Sequence, residues 1–279
     1  MKTPKTLYIL IGIFCLFALI AGIYAQTIEG KGNNPTRPSK DKDEVQEPKD
    51  AATIKAEFQE LFTNTLNLNG FDTTGIIKTK EDKEIVYTAY DLNRNEEAYE
   101  LHIKVPVVNI KNEVANSFNT ITQSVFVTRA NEVLSKTDTT SKTIYSIDYV
   151  GYVNGDILSL VIKSTLKEGT NAQRVMIQTY NYDLITGQKI SLNDIITKKA
   201  FNKEEVNQKI KAVVEEADKE AKAIQNMGYT TSFSRDLTST MYTVDNSTTF
   251  FLGENNKLYV IYAYGNQNFT SEMDIVLFE

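Results

Sequence analysis

The chain has 279 residues, with 30 Lys+Arg against 36 Asp+Glu for a formal net charge of −6. One cysteine and one histidine exclude a disulfide framework and a zinc site built from several His or Cys ligands. The acidic balance argues against nucleic acid as a partner and is compatible with a cationic one.

Lys2 and Lys5 precede an apolar run, Leu7 to Ala25, that carries no charged residue. Its nineteen residues, at about 1.5 Å each, span roughly 28 Å, close to the hydrocarbon thickness of a bilayer. The cationic flank should stay inside and send the remainder outward. Residues 1–25 are therefore predicted as a membrane anchor, giving a single-pass protein whose C-terminal part lies outside. The alternative is a signal peptide cleaved near Ala25, which would secrete the rest. Signal cores usually run about 7–15 residues, shorter than this one. Cys15 follows Phe14, which does not fit a lipidated cysteine. Setting Lys2 and Lys5 aside, the exported part has 28 Lys+Arg against 36 Asp+Glu, a net of −8. An exported chain without disulfides fits a Gram-positive surface protein.

Residues 26–53 read as a disordered linker, holding Pro35, Pro38 and Pro48 and almost no large apolar side chains. Such a stretch cannot bury enough surface to offset its ordering entropy. Order is expected from Ile54, where Ile54, Phe58, Leu61 and Phe62 share a helical face. Strands are predicted over Glu84–Leu92 and Ala98–Val105, with Pro106 closing the second. The spacing of Ile110, Val114, Phe118, Ile121 and Val125 predicts a helix ending between Ala130 and Leu134. A meander follows: Thr143–Val153 and Asp156–Leu166 around Asn154-Gly155, then Arg174–Asp183 and a turn at Thr186-Gly187. After Phe201 comes the clearest helix. Asn202 and Glu205 cap it, Val206, Ile210, Val213, Val214, Ala217, Ala221 and Ile224 form its stripe, and Gly228 stops it. Strands at Ser247–Leu252, Lys257–Tyr264 and Glu272–Phe278 end the chain. Helices that interrupt antiparallel strands, rather than alternating with them, indicate an α+β fold.

Candidate chemistry is sparse. His102 lies between Leu101 and Ile103 in a predicted strand, so alternation places it on the polar face, and a Ser-His-Asp arrangement would depend wholly on it. No Gly-rich phosphate loop or twelve-residue calcium loop is present, and no cofactor or metal is expected. Paired carboxylates alone could support glycoside hydrolysis, but nothing singles out a pair among 36 acidic residues. Tyr259, Tyr262 and Tyr264, followed by Asn266 and Asn268, are the candidate ligand-binding residues, because tyrosine and amide groups suit recognition surfaces. Tyr262 and Tyr264 share a strand face and Tyr259 points the other way. Packing within a sheet is the competing role for these rings.

The passages Tyr180-Asn-Tyr-Asp-Leu-Ile-Thr-Gly-Gln-Lys-Ile-Ser-Leu-Asn-Asp-Ile-Ile and Lys257-Leu-Tyr-Val-Ile-Tyr, set in this order of parts, carry a resemblance over 54–279. The chain resembles the extracytoplasmic domain pair of unknown function in RsiV-type anti-sigma factors and PdaC-type peptidoglycan deacetylases. The resemblance implies a first α+β domain at 54–150 and a second at 151–279, similar to the RsiV C-terminal domain that binds lysozyme. Only six residues precede the apolar run, so a sigma-binding part is not expected, and a histidine-bearing deacetylase motif is absent. The expected function is a membrane-tethered binding or sensing module of a Gram-positive envelope, not an enzyme, with lysozyme or a cell-wall glycan as ligand. A carboxylate enzyme acting on peptidoglycan and a structural envelope protein are the alternatives.

Overall fold

The computed structural model describes residues 49–229, 232–265 and 270–279. The expected anchor at 7–25, the linker as far as residue 48, and Asn266 and Asn268 lie outside the described residues. In chain order the elements are α1 (Ala51–Glu60), β1 (Leu66–Asn67), β2 (Val86–Asn95), β3 (Tyr99–Val108), α2 (Glu113–Leu134), β4 (Thr143–Asn154) and β5 (Ile157–Glu168). Next come β6 (Arg174–Asp183), β7 (Gln188–Lys189), α3 (Leu192–Lys198), α4 (Lys203–Asn226), β8 (Phe250–Leu252), β9 (Leu258–Ala263) and β10 (Met273–Phe278). This is an α+β fold. Among the described residues no helix is long and apolar enough to cross a membrane.

The hairpin of β4 and β5 is the spine. It pairs from Thr143↔Glu168 to Asn154↔Ile157 and turns through Gly155, whose φ of +67° suits a two-residue loop. Around it a seven-stranded sheet runs β2-β3-β4-β5-β6-β7, with β1 also on β4. The β3 and β1 pairings with β4 are parallel, and α2 makes the crossover from β3 to β4. A second, three-stranded antiparallel sheet has the order β10-β9-β8.

Burial shows how the layers stack. Leu101, Ile103, Tyr145, Ile147, Leu158 and Leu160 face α2. Val150, Tyr152, Val161, Val175 and Ile177 face the second sheet, meeting Phe251, Tyr259, Ile261 and Ile275 with Phe58 of α1. The other side of the second sheet, including Val260 and Tyr262, packs on Val206, Ile210 and Val214 of α4. The order is therefore α2, first sheet, second sheet, α4. Near its open end β4 alternates buried and part-exposed positions, whereas from Tyr149 to Asn154 it is buried on both faces. The second sheet covers only that half.

Several expectations need correction. The helix α1 begins at Ala51, capped by Asp50, whose side chain accepts from Thr53 N at 2.7 Å, so the linker ends earlier than residue 53. Pro106 lies inside β3, opposite Thr88, and does not close it. The ladder from β3 to β4 ends at Ile103↔Ile147, so by Pro106 that edge needs no donor. The boundary expected between 150 and 151 falls inside β4, and Lys49–Glu279 group as one compact unit. On α2 the buried stripe is Ala115, Phe118, Thr122, Phe126, Ala130 and Val133. Ile121 and Val125, expected on it, are 54% and 48% exposed. Small Ala115 and Ala130 let the helix approach the sheet, and Phe118 and Phe126 fill the space between them.

Candidate functional site

The predicted binding tyrosines are interior residues. Tyr259, Tyr262 and Tyr264 retain only 6%, 4% and 1% of their surface. As expected from strand parity, Tyr259 faces the first sheet, stacking on Phe251 at 4.5 Å, while Tyr262 and Tyr264 face α4. Their hydroxyls serve the fold. Tyr262 shares a 2.7 Å hydrogen bond with Ser247 Oγ, and Tyr264 donates to Asp274 Oδ2 at 2.6 Å. Asp274 also takes both arms of Arg235, from Nε at 3.0 Å and Nη2 at 2.7 Å. The Arg235 N–H donates to Asp218 Oδ1 at 2.9 Å. Burial and the adjacent Asp274 charge push the Tyr264 hydroxyl far above the usual tyrosine range, so it stays a donor. This network is buried and paired throughout, and leaves no ring face for a ligand.

The predicted polar placement of His102 holds: its side chain is 49% exposed, with Nε2 3.5 Å from Asp148 Oδ1, between fully buried Leu101 and Ile103. Asp148 also accepts from Asn64 Nδ2 at 2.8 Å. Among the described residues no three His, Cys, Asp or Glu side chains gather to hold a metal ion.

A site of different character lies between α2 and the β6–β7 edge. Asn112 caps α2 by accepting from Val114 N at 2.7 Å. The turn after β6 presses on this cap at Gly187 (φ +71°), where a Cβ would stand 2.7 Å from Asn112 Nδ2. Asp183 fastens that turn by accepting from Ile185 N at 2.9 Å and Thr186 N at 2.8 Å, and it pairs with Lys198 at 2.9 Å. Burial works against the Asp183 carboxylate, but these bonds outweigh it and hold its pKa below the usual 3.8. One side of the groove closes through Phe118 stacked on Tyr180 at 4.2 Å, with Tyr182 next at 5.9 Å.

The resulting groove has a volume of about 420 Å³ and is lined by Val114, Phe118, Ile121, Gln178, Tyr180 and Lys189 among others. That volume falls in the range that holds small ligands or a peptide's side chains. Ile121 and Val125, one turn apart on α2, leave apolar surface in water beside it. Among the described residues, Thr122 Oγ1, Ser164 Oγ and the Tyr180 hydroxyl are buried without a hydrogen-bond partner. All three lie in the layer between α2 and the first sheet. Burial pushes the Tyr180 hydroxyl above the usual tyrosine range, as does the neighbouring Tyr182, so it keeps its proton. A smaller cavity of about 300 Å³ lies at the far end of β6, lined by Leu166, Glu168, Asn171, Ala172 and Arg174. Its Glu168 is already engaged by Lys136 at 2.9 Å and Arg129 at 3.1 Å.

Sequence reasoning missed this groove. The available signal was α2 itself, whose apolar residues fill two stripes where a helix on one sheet needs one.

No protein-family model and no curated protein matches the chain. Among solved structures it is similar to a DUF3298 family protein from Pseudomonas aeruginosa PAO1, at 12% identity and a TM-score of 0.36, covering 68% of this chain and 85% of that one. It is also similar to a member of the same family from Bacteroides fragilis NCTC 9343, at 16% identity and a TM-score of 0.33, covering 67% of this chain and 85% of the other.

Proposed function

We propose that this chain is a binding module of a Gram-positive cell envelope, held at the membrane by residues 7–25, with the groove between α2 and β6 as its ligand seat. One observation carries the choice of seat. The groove combines exposed apolar side chains, a cavity of about 420 Å³ and a buried unpaired hydroxyl on Tyr180. Native interiors pair their polar groups, so an orphan beside an open groove marks a place where a ligand adds something. The membrane address rests on the uncharged run from Leu7 to Ala25 behind Lys2 and Lys5. A protein such as lysozyme, or a cell-wall glycan, is the proposed ligand class, and the net charge of −6 favours the cationic protein.

Two measurements test this reading. A tag placed after Glu279 should react with a membrane-impermeant reagent on intact cells of a Gram-positive host. Immobilised full-length chain should retain lysozyme or purified peptidoglycan fragments at low salt, and Ile121→Glu should release them. Retention of neither, or retention indifferent to Ile121→Glu, removes the groove as the seat.

A further inference from the structure

The edge of β6 adds a second requirement on whatever fills the groove. Strand residues point their N–H and C=O groups alternately to the two neighbours. The outward set on β6 is fixed by two bonds: Val175 N donates to Thr270 O at 3.1 Å, and Asn181 O accepts from Ile190 N at 2.9 Å. By alternation Ile177 and Thr179 also direct their backbone groups outward, away from β5. The β7 ladder reaches only Tyr182 and Asp183. Among the described residues no backbone hydrogen bond meets the outward groups of Ile177 or Thr179. An unpaired edge of this kind is a template for a strand from another chain.

This open edge runs along the groove, since Gln178, Thr179 and Tyr180 line it. A strand added there would bond to β6 and turn every second side chain toward Phe118, Ile121 and Tyr180. Charge narrows the occupant further. Glu113 and Lys189, the charged residues lining the groove, offset each other, and the wall between is uncharged. The chain as a whole carries −6. The local surface therefore matches an uncharged segment, and the overall field matches a cationic protein bearing it.

We propose that the groove receives an extended peptide segment of a cationic partner protein, which joins the first sheet as a strand beside β6 and seats apolar side chains at alternate positions. The proposal rests on the groove being the ligand seat and selects a protein over a glycan as its occupant. Backbone bonds to Ile177 and Thr179 would supply affinity, and the pocket at Ile121 would supply selection.

Selection from a displayed library of random peptides, each as long as Val175–Asn181, on detergent-solubilised full-length chain tests it. Enriched peptides should carry uncharged apolar residues at every second position and lose binding to Ile121→Glu. In a synthetic copy, N-methylation of the amides that face β6 should weaken binding by about tenfold each, and N-methylation of the alternate amides should change little. A Lys-rich tail on the peptide should speed association at low salt. Enrichment at helical spacing, equal sensitivity at every amide, or no enrichment over the Ile121→Glu chain overturns the proposal. If peptidoglycan fragments still bind in an Ile121-dependent way, the strand proposal alone has failed. If Ile121→Glu changes no binding at all, the groove itself is the error.

Discussion

The two helix-covered sides of this protein handle buried polar groups in opposite ways. Beneath α4, Arg235, Asp274, Tyr264 and Asp218 form one network whose members are all bonded. Beneath α2, Thr122, Ser164 and Tyr180 each bury a hydroxyl without a partner, while Ile121 and Val125 leave apolar surface in water. Both sides contain buried tyrosines. The difference teaches that a buried tyrosine is informative about ligands only once its hydroxyl has been accounted for. A paired one belongs to the fold, and an orphan beside a groove belongs to the candidate site.

The strongest way to break this comparison is to unpair the paired side. Asp274→Ala leaves Nε and Nη2 of the Arg235 guanidinium, whose side chain is 5% exposed, without their carboxylate, and only Nη1 stays paired, with Glu272 at 3.2 Å and the Phe233 carbonyl. Removing one partner of a buried ion pair costs about 3–5 kcal/mol. Urea unfolding should show that loss, and replacing both residues (Arg235→Met with Asp274→Leu) should recover most of it. If Asp274→Ala unfolds like the parent, water or another group reaches Arg235 and the side is not sealed. Tyr264→Phe should cost less, about 1.5–3 kcal/mol, because it removes one hydrogen bond to a charged acceptor. The same titration reads it.

Much of this architecture was legible beforehand, and the failures have physical causes. The span of β6, the reach of β4 and β5, the start of α4 and the parity of Tyr259 against Tyr262 all follow from local alternation, turn glycines and caps. Those signals act within a few residues. The parallel pairing of β3 with β4 joins Tyr99 to Thr143, and no local pattern announces it. Asp218 sits in the apolar stripe of α4 because Arg235, seventeen residues later, gives it a partner. The helix α3 was overlooked although Ser191 and Asp194 form a capping box, since its seven residues are too few to show a period. The groove escaped for the reverse reason. Ile121 and Val125 look like core on a helical wheel, and only the sheet beneath decides that Thr122 is buried in their place.

Acid should sharpen the contrast by touching both sides through different carboxylates. Burial opposes ionisation of Asp218, but bonds from Lys222 and the Arg235 N–H win and hold its pKa below 3.8. Asp183, which fastens the turn at the groove, is depressed in the same direction. A carboxylate with a depressed folded pKa contributes stability that is complete above its unfolded value and is lost as pH falls through the folded one. Stability should therefore be flat above the carboxylate range and decline as pH drops below 3.8. In the Asp183→Asn chain that decline should be shallower, with the amides of Ile185 and Thr186 already exchanging faster at neutral pH. An unchanged slope would show that Asp183 is not what holds the turn.

The smallest effect should carry the opposite sign. Tyr180→Phe and Thr122→Val each delete a hydroxyl that has no partner, while keeping nearly the shape of the side chain. Burying an unsatisfied hydroxyl costs about 1–3 kcal/mol, so its removal should leave stability unchanged or raise it by up to about that amount. Tyr264→Phe, the same chemical change on the other side of the protein, should lower it. The two tyrosine variants thus form an internal control, since the chemical change is the same at two buried rings and the hydroxyl is paired at one and unpaired at the other. For binding the order reverses. Tyr264→Phe should leave capture at the groove intact, and Tyr180→Phe should weaken it if the ligand uses that hydroxyl. Parallel losses of stability in both variants would mean that the Tyr180 hydroxyl is satisfied in solution, and the distinction between a finished interior and an unfinished one would no longer separate these two sides.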